Sequence, residues 1–143
     1  MKKSGILNAK LMEELTALGH FDRFVICDIG FPIPRGAVKI DLALVEGVPG
    51  FLQTLKAVLK EVVVQQIFLM DAVKDANPKL YSEACTLLTK QETEYCDFAA
   101  FRKECMEAKF FIRTGEAAPC SNMILVSASG VAERVQKYNI DPE

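Results

Sequence analysis

The chain contains a single histidine, His20, and two aspartates follow it closely, Asp22 and Asp28. An imidazole exchanges protons near neutral pH, which suits it to general acid–base catalysis. The apolar run 24–29 has the length and composition of a buried strand, so His20 precedes this strand and Asp28 closes it. His20 is thus a candidate proton donor and Asp22 a candidate for orienting it, although a lone histidine is more often a surface or capping residue.

Polar side chains also stand at the ends of other predicted strands, namely Asp71 and Asn122. In parallel α/β sheets, ligands collect at the carboxyl ends of strands. The Asn122 amide offers a donor and an acceptor, as a sugar hydroxyl requires. Asp28, Asp71 and Asn122 can equally cap the turns beside them, and both interpretations stay open. Asp, Asn and His without a metal motif favour a small polyol or sugar as ligand.

Bulk properties exclude several classes of function. The chain has 143 residues, a net charge of −2 and no basic run, so it lacks the electrostatic footprint of a nucleic-acid-binding protein. Its apolar runs are too short to span a membrane and no targeting segment is visible, which predicts a cytoplasmic protein. The five cysteines are odd in number and form no CxxC, so we expect reduced thiols and no metal site.

Apolar spacing predicts helices that alternate with strands along the whole chain. Helices are expected at 8–18, at 50–61, from Asn77-Pro78 onward and at 99–108, with Asn8 as N-cap and Gly19 as C-terminal stop of the first. Strands are expected at 24–29, 37–44, 62–70, 94–98, from 110 onward and at 122–128. This order predicts one α/β domain, residues 1–143, whose largely parallel sheet is covered on both faces and whose tail, 129–143, is peripheral.

Several short motifs resemble those of the D-ribose pyranase/L-fucose mutarotase (RbsD/FucU) family, over roughly residues 1–126. They are Leu18-Gly19-His20 with Asp22, Asp28-x-Gly30-x-Pro32-x-Pro34, Lys39-Ile40-Asp41, Gly47-Val48-Pro49, and Arg113-Thr114-Gly115-Glu116 followed by Pro119 and Asn122. The proline-containing run is closer to the ribose branch. The Arg113–Glu116 turn alone fits either an anion-binding loop or a plain strand-ending turn.

The resemblance implies a three-layer α/β/α fold, no cofactor, and a ring-shaped homo-oligomer, often a decamer, with sites between subunits. It implies that His20 is the proton donor and that Asp28 and the segment Cys120-Ser121-Asn122 bind the sugar. Arg102 stands where the ribose enzymes often have lysine. Two positions depart from the family, because Phe98 replaces a sugar-binding histidine and Cys120 replaces a tyrosine.

The leading hypothesis is therefore a sugar pyranase or mutarotase that interconverts cyclic forms of a monosaccharide such as D-ribose. Phe98 and Cys120 favour a rival from another class, a non-catalytic sugar-binding or structural ring protein. An isomerase for a sugar outside the ribose and fucose set is a third alternative. At about 0.5–1.5 kcal/mol for each neutral hydrogen bond, two lost contacts are enough to change sugar choice.

Overall fold

The computed structural model describes residues 1–129. The helices are α1 Ala9–Thr16, α2 Phe51–Leu59, α3 Val73–Ala76, α4 Pro78–Leu87 and α5 Phe98–Cys105. The strands are β1 Arg23–Cys27, β2 Lys39–Asp41, β3 Val64–Met70, β4 Glu92–Cys96, β5 Ala108–Arg113 and β6 Met123–Ser127. Apart from α3, each element was predicted, with shifts of a few residues at the ends. The predicted peripheral tail lies outside the described residues, except for Ser129.

The six strands form one sheet in the order β2-β5-β1-β6-β3-β4. Strand β6 pairs antiparallel with both β1 and β3, whereas the pairs β1–β5, β2–β5 and β3–β4 are parallel. The prediction of a mainly parallel sheet is therefore confirmed, with β6 as the antiparallel strand.

Side chains alternate between two apolar layers, as the period of a strand requires. In β1, Phe24 and Ile26 pack with α1, α2 and α4, while Val25 and Cys27 pack on the opposite face with α5. The same alternation occurs in β3, β5 and β6. The sheet is thus buried on both sides, which confirms the three-layer α/β/α architecture.

Helix α1 shows where apolar spacing predicts burial and where it does not. The Asn8 side chain accepts a hydrogen bond from the Leu11 N–H, as expected of an N-cap, and Leu11 is buried. Leu7 was expected on the same buried face but is 67% exposed, because it precedes the cap and lies outside the helix. Gly19 was expected to stop the helix, yet the C-cap is Ala17.

The turn after β5 packs against the backbone of residues 45–49 and leaves no room for a side chain at Gly115. The Gly115 N–H donates to the Pro49 carbonyl, and the Gly115 carbonyl accepts from the Gly47 N–H. A Cβ at Gly115 would lie 2.6 Å from the carbonyl oxygens of both Val45 and Val48. The glycine is therefore required for close packing of two backbones.

We expect Gly115→Ala to destabilise the fold by about 1–3 kcal/mol, the usual cost of overpacking where the neighbours cannot retreat. Urea unfolding gives the free energy directly. Gly30→Ala is a suitable control, because its Cβ would have an ordinary 3.9 Å contact with Asp28 Oδ1. Equal free energies of unfolding for the two variants would contradict the prediction.

Candidate functional site

The centre of the candidate site is a pair of side chains, Asp28 and Asn122, at the carboxyl end of β1. The Asp28 N–H donates to Oδ1 of Asn122 at 2.9 Å, and Nδ2 of Asn122 donates to Oδ2 of Asp28 at 3.1 Å. Because β6 runs antiparallel to β1, the start of β6 lies beside the end of β1. This brings Asn122, just before β6, next to Asp28, just after β1. Asn122 is 3% exposed, so its amide is buried against the carboxylate.

Burial and hydrogen bonding shift the pKa of the Asp28 carboxyl in opposite directions. Burial raises the pKa of the Asp28 carboxyl above its ordinary value, and this is the larger effect. Hydrogen bonds from the Asn122 side chain and from backbone N–H groups, including that of Gly30, lower the pKa and partly offset the burial. The result is a half-buried carboxylate of fixed orientation, which can accept hydrogen bonds from ligand hydroxyls.

The loop before β6 contributes in different ways through Cys120 and Ser121. Ser121 is fully buried, and its hydroxyl donates to the Ala118 carbonyl and accepts from Nδ2 of Asn77. Its side chain therefore holds the loop to the start of α4. Burial and the nearby charge of Asp28 raise the pKa of the Cys120 thiol, so this partly exposed group stays protonated and is a weak donor.

Phe98 and Arg102 lie four residues apart on one face of α5, with Phe98 at its start and Arg102 in its last turn. The Asp97 side chain caps this helix by accepting from the Ala100 N–H, and Phe98 follows it, 51% exposed. The Arg102 guanidinium carbon lies 5.8 Å from the centroid of the Phe98 ring. Phe98 thus offers an apolar ring, with a cation beside it, in place of a hydrogen-bonding side chain.

His20 lies at the opposite end of the sheet. Its Nε2 is 3.0 Å from Oε1 of Gln65, at the start of β3, and its ring stacks on Phe21 with centroids 3.6 Å apart. Asp22, predicted to orient His20, instead accepts a hydrogen bond from the Gly19 N–H and lies 3.8 Å from the Lys109 ammonium. The Asp22 carboxylate is thus engaged with the backbone of the preceding turn, and the imidazole contacts Gln65.

His20 and Asp28 are too far apart to act on one ligand within a single chain. Strand β1 separates them, and its five residues extend for about 16 Å at about 3.3 Å per residue. Contacts with β6 agree with this separation. Phe21, next to His20, hydrogen-bonds to Ser127 at the end of β6, whereas Asn122, which contacts Asp28, precedes the start of β6. One chain therefore presents two candidate half-sites, one around His20 and one around Asp28, at opposite ends of the sheet.

Sequence patterns assigned no role to two residues beside the candidate half-sites, Gln65 and the motif residue Thr114. Gln65 contacts His20 from a different strand, and the only signal was a pair of glutamines within an apolar run. Thr114 is fully buried and donates its hydroxyl to the Cys27 carbonyl, next to Asp28. Arg113 donates to both carboxylate oxygens of Asp41, so the turn is structural and its guanidinium is already engaged by an anion.

Two absences apply to residues 1–129. Within this range no cluster of three or more His, Cys, Asp or Glu side chains is placed to hold a metal ion. No helix among the same residues is both long and apolar enough to cross a membrane.

Similar proteins were found among curated sequences. The D-ribose pyranase of Lactobacillus acidophilus is 44% identical over 127 residues, which cover 89% of this chain and 97% of that protein. The D-ribose pyranase of Haemophilus influenzae is 40% identical over 135 residues, with the same coverage.

Solved structures and a family model point to the same group of proteins as these sequences. Bacillus subtilis RbsD complexed with D-ribose has a TM-score of 0.88 and 38% identity, covering 92% of this chain and all of that one. The Streptococcus pneumoniae fucose mutarotase, at 21% identity and a TM-score of 0.69, shares the fold over 87% of this chain and 95% of its own. Residues 1–132 match the RbsD / FucU transport protein family. Because the match extends over most of the chain, this protein belongs to the RbsD / FucU family.

Proposed function

We propose that this protein is a sugar pyranase that interconverts the pyranose and furanose forms of a monosaccharide, with D-ribose as the first candidate. The observation that carries this proposal is the buried Asp28–Asn122 pair at the carboxyl end of β1, in a chain 44% identical to a D-ribose pyranase. A fixed carboxylate suits a ligand that is rich in hydroxyl groups and carries no phosphate.

Opening and closing of the sugar ring each require two proton movements, and neither is a redox step. The anomeric hydroxyl loses a proton while the ring oxygen gains one, so the C–O bond of the ring breaks and an open-chain aldehyde forms. A different hydroxyl then attacks the carbonyl carbon and loses its proton while the carbonyl oxygen gains one, which closes the new ring and restores an anomeric hydroxyl. His20 delivers or relays the proton in this proposal, an effect typically worth about 10²–10⁴-fold. Asp28 accepts a hydrogen bond from a sugar hydroxyl, and Asn122 holds Asp28 in place.

A complete site requires a second copy of the chain. Because the two half-sites lie at opposite ends of the sheet, we propose that His20 of one subunit faces Asp28 of the next. Such head-to-tail contacts close into a ring when the rotation between subunits allows it. A ring of ten subunits, as the family resemblance implies, is consistent with this arrangement. The five free thiols support a reducing, cytoplasmic setting.

Phe98 and Cys120 bear on which sugar is bound. The exposed ring of Phe98 can pack on an apolar sugar face but cannot hydrogen-bond, and the protonated thiol of Cys120 is a weak donor. These two side chains favour a pentose or deoxy sugar that needs fewer polar contacts. They also support the second candidate function, a sugar-binding ring protein that does not catalyse exchange.

NMR saturation transfer between pyranose and furanose signals tests the proposal on a panel of monosaccharides. We expect the wild-type protein to accelerate exchange of D-ribose, or of a related pentose, well above the rate in buffer. The reason is that intact subunits combine a proton donor with an oriented carboxylate. Binding of a sugar without faster exchange of any panel member would instead support the non-catalytic protein.

A further inference from the structure

We propose that Gln65 is the positioning residue of His20: its carbonyl oxygen holds the imidazole as the Nε2–H tautomer and leaves Nδ1 to exchange the proton. This inference rests on the proposed function only for the use of the proton in sugar exchange. The orientation of the ring by Gln65 does not depend on that function. The direct observation is the 3.0 Å contact between His20 Nε2 and Gln65 Oε1. An amide oxygen accepts and never donates, so this contact assigns the hydrogen to the ring nitrogen that faces Oε1.

The backbone around Gln65 departs from a regular strand. In the pairing of β3 with β6, Val64 lies opposite Ser127 and Gln66 lies opposite Val126, so Gln65 is the additional residue of a β-bulge. Bulges redirect a side chain and are over-represented beside active sites. Gln65 contacts His20 from this local irregularity, so a regular strand pattern does not predict the contact.

Phe21 holds the imidazole from a second direction. The two rings stack at 20°, and Phe21 has a φ of +69°, in the left-handed region. This conformation costs about 1–2 kcal/mol for a residue with a Cβ. It is held by the bond from the Phe21 N–H to the carbonyl of Ser127, the residue opposite the bulge. Phe21 thus restrains the ring face, and Gln65 restrains the Nε2 edge.

Because His20 is the only histidine in the sequence, its tautomer can be measured directly. The ¹⁵N shifts of the two ring nitrogens distinguish a protonated from an unprotonated nitrogen, and the chain gives a single pair of signals. At a pH well above the ordinary imidazole pKa, we expect the wild type to show Nε2–H. We expect Gln65→Leu to show a mixture of tautomers, and Gln65→Glu to keep Nε2–H because a carboxylate oxygen also accepts.

Kinetics give a second readout. Gln65→Leu should lower kcat for sugar exchange by about fivefold to tenfold, the rate equivalent of one neutral hydrogen bond, while KM stays unchanged. Gln65→Glu should recover most of that rate. The matched control is Gln66→Leu, since the neighbouring amide contacts Glu94 at 3.4 Å and should affect neither the tautomer nor kcat.

An Nδ1–H tautomer in the wild type, or an unchanged tautomer in Gln65→Leu, would overturn the inference. A wild type that exchanges no sugar would instead refute the proposed function, and the ¹⁵N shifts would still decide whether Gln65 orients His20. The two failures are thus distinguishable.

Discussion

Mixed assemblies of His20→Ala and Asp28→Asn subunits are expected to exchange sugar, although neither variant does so alone. Each variant lacks one half-site: we expect His20→Ala to lose about 10²–10⁴-fold of the catalysed rate because the proton donor is gone. Asp28→Asn loses the charged acceptor that orients the sugar, a hydrogen bond worth about 1.5–3 kcal/mol. Where the intact His20 of an Asp28→Asn subunit meets the intact Asp28 of a His20→Ala subunit, a complete site forms. In an equal random mixture, about one interface in four has this composition, so about a quarter of the wild-type rate should return.

Co-expression of the two variants with different affinity tags yields the mixed assemblies, and saturation transfer measures their rate. The matched control combines His20→Ala with the double variant His20→Ala/Asp28→Asn, a mixture that contains no intact His20. A doubly tagged assembly that is no faster than this control would show that His20 and Asp28 do not meet across an interface. Recovery would establish a shared site without any structure of the assembly.

Local elements of this fold are largely predictable from sequence, because apolar period and caps are local signals. Asn8 was recognised as a cap, and the alternation of Phe24 to Cys27 between layers follows from strand geometry. The direction of β6 was not predictable, since an apolar run carries no information on whether it pairs parallel or antiparallel. That direction is what brings Asn122 to Asp28.

The contacts of the site residues were less predictable than their identities. The spacing of His20 and Asp22 suggested a pair, but hydrogen bonding depends on where the backbone turns, and the bulge at Gln65 supplies the partner instead. Ser121 was expected to bind substrate through its place in a motif. Its hydroxyl is satisfied internally, so any contribution to a sugar would have to come from its backbone.

The Arg113–Glu116 turn explains why a motif distant from Asp28 in sequence accompanies it. The Arg113 side chain donates to the Ile29 carbonyl, and the Glu116 carbonyl accepts from the Ile29 N–H at 2.9 Å. Thr114 holds the Cys27 carbonyl on the other side of Asp28. The turn therefore holds the backbone on both sides of Asp28. We infer that the Arg113–Glu116 motif accompanies Asp28 because it supplies this support.

Asn122→Asp should make both stability and activity depend strongly on pH. The change keeps an oxygen for the Asp28 N–H but places a second oxygen about where Nδ2 now lies, 3.1 Å from Asp28 Oδ2. Two carboxylates this close cannot both ionise easily, so the pKa of one should rise beyond the increase that burial already gives Asp28. The shared proton would replace the lost N–H donor.

The sign follows from the raised pKa. A carboxyl whose folded pKa exceeds its unfolded value contributes stability that is fully present below the unfolded pKa and is lost as the pH rises through the folded pKa. We therefore expect Asn122→Asp to be about 1–3 kcal/mol less stable than wild type at neutral pH, with a deficit that shrinks on acidification. Sugar exchange should be lost at neutral pH and should partly return at mildly acidic pH, where the shared proton rebuilds the hydrogen bond.

Urea unfolding and saturation transfer at both pH values measure the two effects. Asn122→Leu is the matched control, because it removes both hydrogen bonds to Asp28 without adding a charge. Its loss of stability should change much less over the same pH range, and acid should not restore its sugar exchange. If both variants lose the same stability relative to wild type at both pH values, the Asn122 amide acts through packing alone. If Asn122→Asp loses stability only at neutral pH, the role of Asn122 is to hold Asp28 as an oriented carboxylate.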